Sequence, residues 1–368
     1  MNEWIVRLDE GPVDGPRLAI KDAIDVAGTV STVGCKALAD RGVIAETDAD
    51  CVANARAFGA HIVGKTNLHE LCFGTTGLNP TFGDPVNPKW PDLVPGGSSS
   101  GSAVAVANEE ADVGYGTDTG GSVRLPAACC GIAGLKTTHG RVSLRGVWPL
   151  SPSLDTIGPL ARDVAGLVTG MQMLEPGFSV DSVKPATVIG RLATAPDVAV
   201  DPAFWHAVDD ALRRAEMNVE PVELNGWDRC GRAFAGVIGF EAWQSDKELM
   251  AIPGGVHEYV AERFRWCETI TQDTYDESIR EMSEWRAEML DLLERVSVVA
   301  LPTLDQAPVK VSEAFLPNPL VFPFNLAGVP ALSMPLPGGP GTSLQLVAAP
   351  GGEELLLATA ARIEGSLR

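Results

Sequence analysis

Basic residues and histidines are scarce in this chain. Against 48 Asp and Glu there are 28 Lys and Arg, so the 368 residues carry a formal net charge of −20, and the histidines number 5. A strongly negative protein is repelled by phosphate backbones and anionic lipid surfaces, so we expect neither a nucleic-acid partner nor a membrane partner. The sequence contains no H-E-x-x-H or C-x-x-C pattern, and we therefore predict no metal site.

Long apolar runs and a disulfide pattern are missing as well. No run of about 18 apolar residues occurs, and the N-terminus lacks the basic and then apolar order of a secretory signal. The cysteines, 7 in number, are scattered through the chain. An odd count with such spacing is typical of reduced thiols. We expect a cytoplasmic protein.

The rest of the composition, 45% hydrophobic with 39 Gly and 27 Pro, is typical of a folded protein with many turns. Strand-like segments alternate with segments of helical period, which predicts an α/β fold. The predicted strands cover 18–26, 60–63, 186–189, 297–301, 331–335 and 343–347. The predicted helices cover 47–58, 157–174, 201–217, 259–296 and 353–364. A capping box of Thr47 and Asp50 is expected to start the first helix, and no linker divides the chain, which favours one domain over 1–368.

Two short motifs match known patterns without the structural context those patterns need. Segment 59–66, GAHIVGKT, fits the phosphate-binding G-x-x-x-x-G-K-[ST], but its apolar centre looks like a strand, so a chance match is favoured. Segment 97–101, GSSSG, fits the G-x-S-x-G elbow of Ser-His-Asp hydrolases. Poor strand material precedes it, and the last histidine, His257, is far from the C-terminus.

Two stretches rich in glycine and serine are more informative. They are PGGSSSGSAVAVA at 95–107 and GTDTGGSVRLPAACCGIAGLKTTHGRVS at 116–143. Their apolar runs indicate buried loop and helix and not a spacer. Glycines beside a serine let backbone N–H groups approach a reacting carbonyl and form an oxyanion hole. Together the stretches indicate an acyl-transfer site.

These stretches resemble the signature of the amidase-signature family, and further similar segments follow in the family's order. They are RLAIKDAIDV at 17–26, GKTNLHELCFG at 64–74, PLSPSLDTIGPLARDV at 149–164, ALPTL at 300–304 and FNLAGVPALSMP at 324–335. The resemblance implies a central twisted mixed β-sheet covered by helices on both faces. It also implies a catalytic core at 15–165 with C-terminal strands at 297–368, and a variable helical region on the substrate side at 177–296.

The resemblance assigns catalytic roles by motif. Ser122 in GGSVR would be the nucleophile, Ser98 in GGSSSGS the bridging serine, and Lys21 in IKD the base. The oxyanion hole would be formed by the backbone amides of Thr119, Gly120, Gly121 and Ser122. The supporting residues would be Ser99, Asp118 and Arg124, the last two as a buried charge pair.

The same resemblance implies a cis peptide bond between residues 97 and 98, and the proposed chemistry constrains Lys21. A lysine acts as a base only as the neutral amine, so its pKa must lie below that of a free lysine. Burial disfavours the ammonium form. We expect this apolar environment to come from Leu18, Ile20 and Ile24.

The implied function is hydrolysis of the C–N bond of a small carboxamide through an acyl-enzyme, with release of ammonia or an amine and without a cofactor. We expect a small or arylalkyl primary amide with an apolar acyl side, bound near Phe73, Leu78 and Leu125. The alternative within the family is the glutaminase subunit of a tRNA amidotransferase, which passes ammonia to a partner. A nucleotide-binding protein using 59–66 and an inert binding scaffold are the rivals from other classes. The sequence leaves the oligomeric state open, a homodimer included.

Overall fold

A computed structural model of the chain describes residues 2–193, 195, 197–313 and 315–368. Within these residues 11 strands form one sheet. In chain order the strands are β1 (Trp4–Glu10), β2 (Arg17–Lys21), β3 (His61–Thr66), β4 (Val113–Thr117), β5 (Ala133–Lys136), β6 (Ile157–Ala161), β7 (Val188–Leu192), β8 (Asn218–Val222), β9 (Val298–Pro302), β10 (Ala331–Pro335) and β11 (Ser343–Ala348).

The sheet is mixed, with the order β1-β3-β2-β4-β6-β5-β10-β11-β9-β7-β8. Strand β2 is parallel to β3 and β4, and β7 is parallel to β8 and β9. The remaining neighbours are antiparallel. Because β2 and β4 run the same way, their last residues, Lys21 and Thr117, lie at the same edge of the sheet.

Helices cover both faces of this sheet. They are α1 (Lys36–Arg41), α2 (Asp50–Phe58), α3 (Ser100–Ala107), α4 (Arg124–Cys130), α5 (Val164–Leu174), α6 (Pro202–Arg214), α7 (Trp227–Asp246), α8 (Glu258–Glu268), α9 (Gln272–Arg295), α10 (Phe322–Leu326) and α11 (Glu353–Leu367), with short 3-10 turns at Glu70–Cys72 and Leu249–Ala251.

Because side chains alternate along the strands, the two faces of the sheet pack into different hydrophobic clusters. In β9, Val298 and Ala300 pack in a cluster with residues of α5, α6 and α11. Their neighbours Val299 and Leu301 pack in another cluster with residues of α7, α8 and α9. A smaller cluster joins α3 and α4 to the face of β2 that carries Ala19.

The expected mixed α/β fold with helices on both faces is confirmed. The C-terminal strands and the last helix lie where the sequence places them. The helix expected at 201–217 is α6, and its N-cap Asp201 accepts a hydrogen bond from the Ala203 amide. The division of the chain into domains stays a prediction.

Three local predictions were wrong. The helix expected over 259–296 is two helices, α8 and α9, which residues 269–271 separate. Segment 157–174 is not one helix, because residues 157–161 form β6 and the helix begins only at Val164. Strand β6 is buried on both faces between β4 and β5, so its continuous apolar run has the appearance of a buried helix. The capping box is also absent: α2 begins at Asp50 with Ala49 at the N-cap and no side-chain cap.

The phosphate-loop alternative for 59–66 does not fit the structure. Residues 61–66 are β3, which is fully paired between β1 and β2. Lys65 is completely buried, with its Nζ 2.8 Å from Asp22 Oδ1. A phosphate loop presents its backbone amides to a ligand, whereas this segment uses them in the sheet.

The seven cysteines are all buried as free thiols. In the described ranges, no helix is both long and apolar enough to cross a membrane.

Candidate active site

Lys21, the last residue of β2, is completely buried at the edge where β2 and β4 end. Its Nζ donates hydrogen bonds to Ser98 Oγ and Thr117 Oγ1, both at 2.7 Å. Burial lowers the pKa of the Lys21 amine, against opposing contributions from Cys72 and Asp155. The lowered pKa favours the neutral form that a base requires.

The residues that bury Lys21 are not the expected ones. Leu18, Ile20 and Ile24 belong to the cluster on the opposite face of the sheet. Side chains alternate along a strand, so Lys21 shares the face of Ala19, which packs against α3. The amine is therefore buried by the loops and helix above this face.

Ser98 lies in the tight loop that leads into α3. Its peptide bond to Gly97 is cis, as the family resemblance implies. A Cβ added to Gly97 would lie 2.6 Å from the Gly77 nitrogen, so only glycine fits there. The Ser98 carbonyl accepts a hydrogen bond from the His69 amide at 3.0 Å. These contacts hold Ser98 Oγ at the Lys21 amine.

Ser122 lies in the loop between β4 and α4, which is built around a buried charge pair. The Asp118 carboxylate accepts hydrogen bonds from the amides of Gly121 (2.7 Å) and Val123 (3.1 Å) and lies 3.0 Å from Arg124 Nη2. Burial alone would raise the pKa of Asp118, but the Arg124 guanidinium outweighs it and holds the pKa well below its ordinary value. The loop is thus fixed from within.

The two serine loops are joined through Ser99. Its amide donates to the Ser122 carbonyl at 3.2 Å, and its hydroxyl donates to the Thr117 carbonyl at 3.3 Å. Ser99 is also the serine of the G-x-S-x-G match, and it is fully buried with no strand before it. The elbow alternative therefore does not apply, since an elbow exposes its serine at the end of a strand.

The amides expected to form the oxyanion hole fall into two groups. The Gly121 amide is already engaged by Asp118. For the amides of Thr119, Gly120 and Ser122, no partner is found among the residues that the structure describes. These three amides are the ones available to an incoming oxygen.

Ser122 opens onto a cavity of about 500 Å³. Its side chain is mostly buried, and its Oγ has no hydrogen bond within the described part of the chain. The apolar and aromatic side chains of the lining are Phe73, Leu150, Phe234, Ala235, Ile238, Tyr259, Trp266 and Phe315. The polar ones are Cys72, Thr75, Thr119, Ser122, Glu262, Arg263 and Asn318.

The family model described as Amidase matches residues 6–357. The chain belongs to the amidase family. It is a hydrolase that acts on C–N amide bonds.

Relatives in this family have several activities. A glutamyl-tRNA(Gln) amidotransferase subunit of Halobacterium salinarum is 33% identical over 96% of this chain and 96% of that protein. Indoleacetamide hydrolase of Pseudomonas syringae pv. syringae is 38% identical over 55% of this chain and 44% of that protein. Among solved structures, a crystal structure of an amidase has a TM-score of 0.90 and 29% identity, covering 100% of this chain and 92% of that one.

The three residues expected at the substrate of this amidase-family chain lie in different places. Phe73 lines the cavity at Ser122. Leu78 lines a neighbouring cavity of about 190 Å³ that shares Tyr259 with the first. Leu125 is fully buried in α4, packed with apolar residues, and does not line either cavity.

Sequence reasoning missed three groups at the site. Cys72 lines the cavity with its Sγ 3.9 Å from Thr117 Oγ1, next to Lys21. Arg263 of α8 lies over the Phe73 ring, 4.7 Å from its centroid, and no carboxylate of the described residues pairs with it. Asp155 accepts a hydrogen bond from the Thr119 hydroxyl. It falls within a family-like segment, whereas nothing in the helical pattern of 259–296 distinguishes Arg263 from other surface arginines.

Proposed function

We propose that this chain is an amidase that hydrolyses a small carboxamide with Ser122 as nucleophile, Ser98 as bridging serine and Lys21 as base. One observation carries the proposal: the fully buried Lys21 amine donates to Ser98 Oγ at 2.7 Å, in the loop that is bonded to the Ser122 carbonyl. A serine hydroxyl is a weak nucleophile without an adjacent base. A buried amine with a lowered pKa supplies that base through Ser98.

In the proposed reaction, neutral Lys21 accepts the proton of Ser98, and Ser98 accepts the proton of Ser122 as Ser122 Oγ bonds to the amide carbon. The carbonyl oxygen becomes an oxyanion. When the C=O bond re-forms, the C–N bond breaks, Ser98 delivers a proton to the leaving nitrogen, and the Lys21 ammonium returns a proton to Ser98. Water then attacks the acyl-enzyme by the same proton path and releases the acid. Catalytic hydrogen bonds often tighten only when substrate binds, which accounts for the unbonded Ser122 Oγ.

The oxyanion is held by backbone amides of the nucleophile loop. The amides of Thr119, Gly120 and Ser122 take this role, because that of Gly121 already donates to Asp118. Donors fixed before the reaction stabilise the transition state without reorganising, and losing one typically costs about 10²- to 10³-fold in rate.

The substrate we favour is a small or arylalkyl primary amide. Phe234, Ile238 and Trp266 of α7 and α8 line the cavity with apolar surface, and such a surface binds an apolar acyl group. The similarity to indoleacetamide hydrolase supports an arylalkyl group.

A second candidate is a glutaminase that supplies ammonia to a partner protein. The cavity contains the Arg263 guanidinium without a carboxylate partner among the described residues, and an arginine so placed can bind the carboxylate of an amino-acid amide. Similarity to the amidotransferase of Halobacterium salinarum extends over almost the whole chain. This candidate keeps the same three catalytic residues and differs only in the substrate and the partner.

Ammonia release separates the two candidates. The substrates are an arylalkyl amide and L-glutamine, and the variants are Ser122→Ala, Arg263→Met and, as a matched control on the same helix, Arg265→Met, whose arginine pairs with Glu258 at the surface. We expect kcat/KM of the parent to be at least about tenfold higher for the arylalkyl amide. Arg263→Met and Arg265→Met should then behave alike.

A preference for glutamine that Arg263→Met abolishes and Arg265→Met retains would replace the first candidate by the second. Full activity of Ser122→Ala with both substrates would contradict the proposed nucleophile. Labelling with a fluorophosphonate gives an independent check, since peptide mapping should find the label on Ser122 and not on Ser98 or Ser100.

A further inference from the structure

Asp155 lies in the loop before β6 and joins two sides of the catalytic cavity. Its Oδ1 accepts a hydrogen bond from Thr119 Oγ1 at 2.6 Å. Its Oδ2 accepts from the amides of Leu150 (2.9 Å) and Ser151 (3.0 Å). Thr119 and Leu150 both line the cavity, so one carboxylate holds both.

The Asp155 side chain is almost fully buried, and no cation among the described residues pairs with it. Burial raises the pKa of its carboxyl, and the three hydrogen bonds oppose that shift. The titratable groups around it are Lys21, Cys72, Glu241 and Asp246. A buried carboxyl with this environment needs its hydrogen bonds, so the groups that donate them are held in place.

Thr156, the next residue, fixes the peptide unit before Thr119. Its Oγ1 donates to the Asp118 carbonyl at 2.8 Å, and its own carbonyl accepts from the Asp118 amide at 2.8 Å. Asn325 Nδ2 also donates to the Asp118 carbonyl, at 3.0 Å. The C=O and N–H of a trans peptide unit point in opposite directions. Anchoring the Asp118 carbonyl therefore directs the Thr119 N–H away from these partners.

The loop is supported from behind by a second carboxylate. Glu241 of α7 accepts hydrogen bonds from Ser151 Oγ (2.6 Å), from Ser153 Oγ (2.5 Å) and from Tyr275 Oη of α9 (2.7 Å). The support for Asp155 thus extends to α7, which also lines the cavity, and to α9.

We propose that Asp155 is a positioning residue for the oxyanion hole. By fixing the Thr119 side chain while Thr156 fixes the preceding carbonyl, it holds the Thr119 N–H toward the oxygen that becomes negative in the transition state. This inference rests on the proposed function. Because the oxyanion exists only in the transition state, the hydrogen bond between Asp155 and Thr119 acts on kcat and not on substrate binding.

The test compares Thr119→Val, which removes the hydroxyl and keeps the shape, with Thr119→Ser, which keeps the hydroxyl. We expect Thr119→Val to lower kcat by about 10- to 100-fold with KM within about threefold of the parent. Thr119→Ser should stay within about threefold in both constants. Asp155→Asn should lower kcat less in the Thr119→Val background than in the parent, because the two residues act through one hydrogen bond. Thermal unfolding of each variant shows that it is folded.

The inference is overturned if Thr119→Val changes kcat by less than about threefold, if the loss appears in KM, if Thr119→Ser loses as much as Thr119→Val, or if the Asp155 and Thr119 effects add. Ser122→Ala distinguishes this failure from failure of the proposed function. An inactive Ser122→Ala beside an unaffected Thr119→Val overturns only the role of Asp155. An active Ser122→Ala overturns the nucleophile, and the role of Asp155 with it.

Discussion

Replacing Lys21 with methionine should abolish catalysis while leaving the fold nearly as stable as before. Methionine fills the same buried space but cannot accept a proton. A general base contributes about 10²- to 10⁴-fold, and we expect a loss of kcat/KM toward the upper end of this range because Lys21 Nζ directly contacts Ser98. Two hydrogen bonds are lost, worth about 1 kcal/mol each.

The loss of these two hydrogen bonds is partly offset, because the substitution also removes a buried amine. The folded pKa of Lys21 lies below its reference value of 10.5, so its contribution to stability is complete above 10.5 and declines as the pH falls through the folded pKa. At neutral pH the buried ammonium form of Lys21 lowers the stability of the fold, whereas methionine carries no ionisable group. We therefore expect the free energy of unfolding of Lys21→Met to lie within about 2 kcal/mol of the parent, and the difference to shift in favour of the variant as the pH falls.

The assay is kcat/KM for ammonia release between about pH 6 and pH 10, with urea unfolding of each protein. In the parent, kcat/KM should rise about tenfold per pH unit below the pKa of Lys21 and level off above it. Lys21→Arg is the matched control, since its guanidinium stays protonated and cannot act as a base. A parent profile without a rising limb, or a Lys21→Arg variant with normal turnover, would refute the reasoning.

Three further outcomes follow from the fold. Arg124→Met leaves the Asp118 carboxylate buried without its cation, so the free energy of unfolding measured in urea should fall by about 3–5 kcal/mol. Asp201→Ala removes the N-cap of α6 and should lower that free energy by about 1 kcal/mol with unchanged turnover, as activity and melting curves will show. Gly121 has a φ of 115°, and an added Cβ would lie 2.4 Å from Val321; ammonia-release assays of Gly121→Ala should find kcat/KM reduced by about 100-fold or more while the protein stays folded.

Lys21, Ser98 and Ser122, the residues that the family motifs single out, each lie at a strand end or in a glycine-rich turn, and their catalytic roles stay a prediction. Local motifs specify such positions. The environment of the lysine was predicted wrongly, since Leu18 and Ile20 alternate to the other face of β2. The side chains of adjacent residues on a strand point to opposite faces of the sheet, so they do not share an environment.

Long-range contacts explain the features that the sequence did not reveal. Asp155 reaches Thr119 across 36 residues, and Arg263 enters the cavity only because α8 packs over Phe73. In the sequence, Arg263 lies in an ordinary amphipathic helix with a polar face, which is the pattern of a solvated surface. Tertiary packing alone brings that residue to the cavity.

The cavity at Ser122 is made by two parts of the chain that lie far apart in sequence. The proposed reacting groups come from residues 21–122, whereas much of the lining comes from α7 and α8. Substitutions in these two helices can therefore change the lining without replacing any group of the proposed proton path. A descendant of this protein could acquire a new substrate range through drift in two helices while inheriting its chemistry intact, and a mutant library confined to those helices would retrace that divergence.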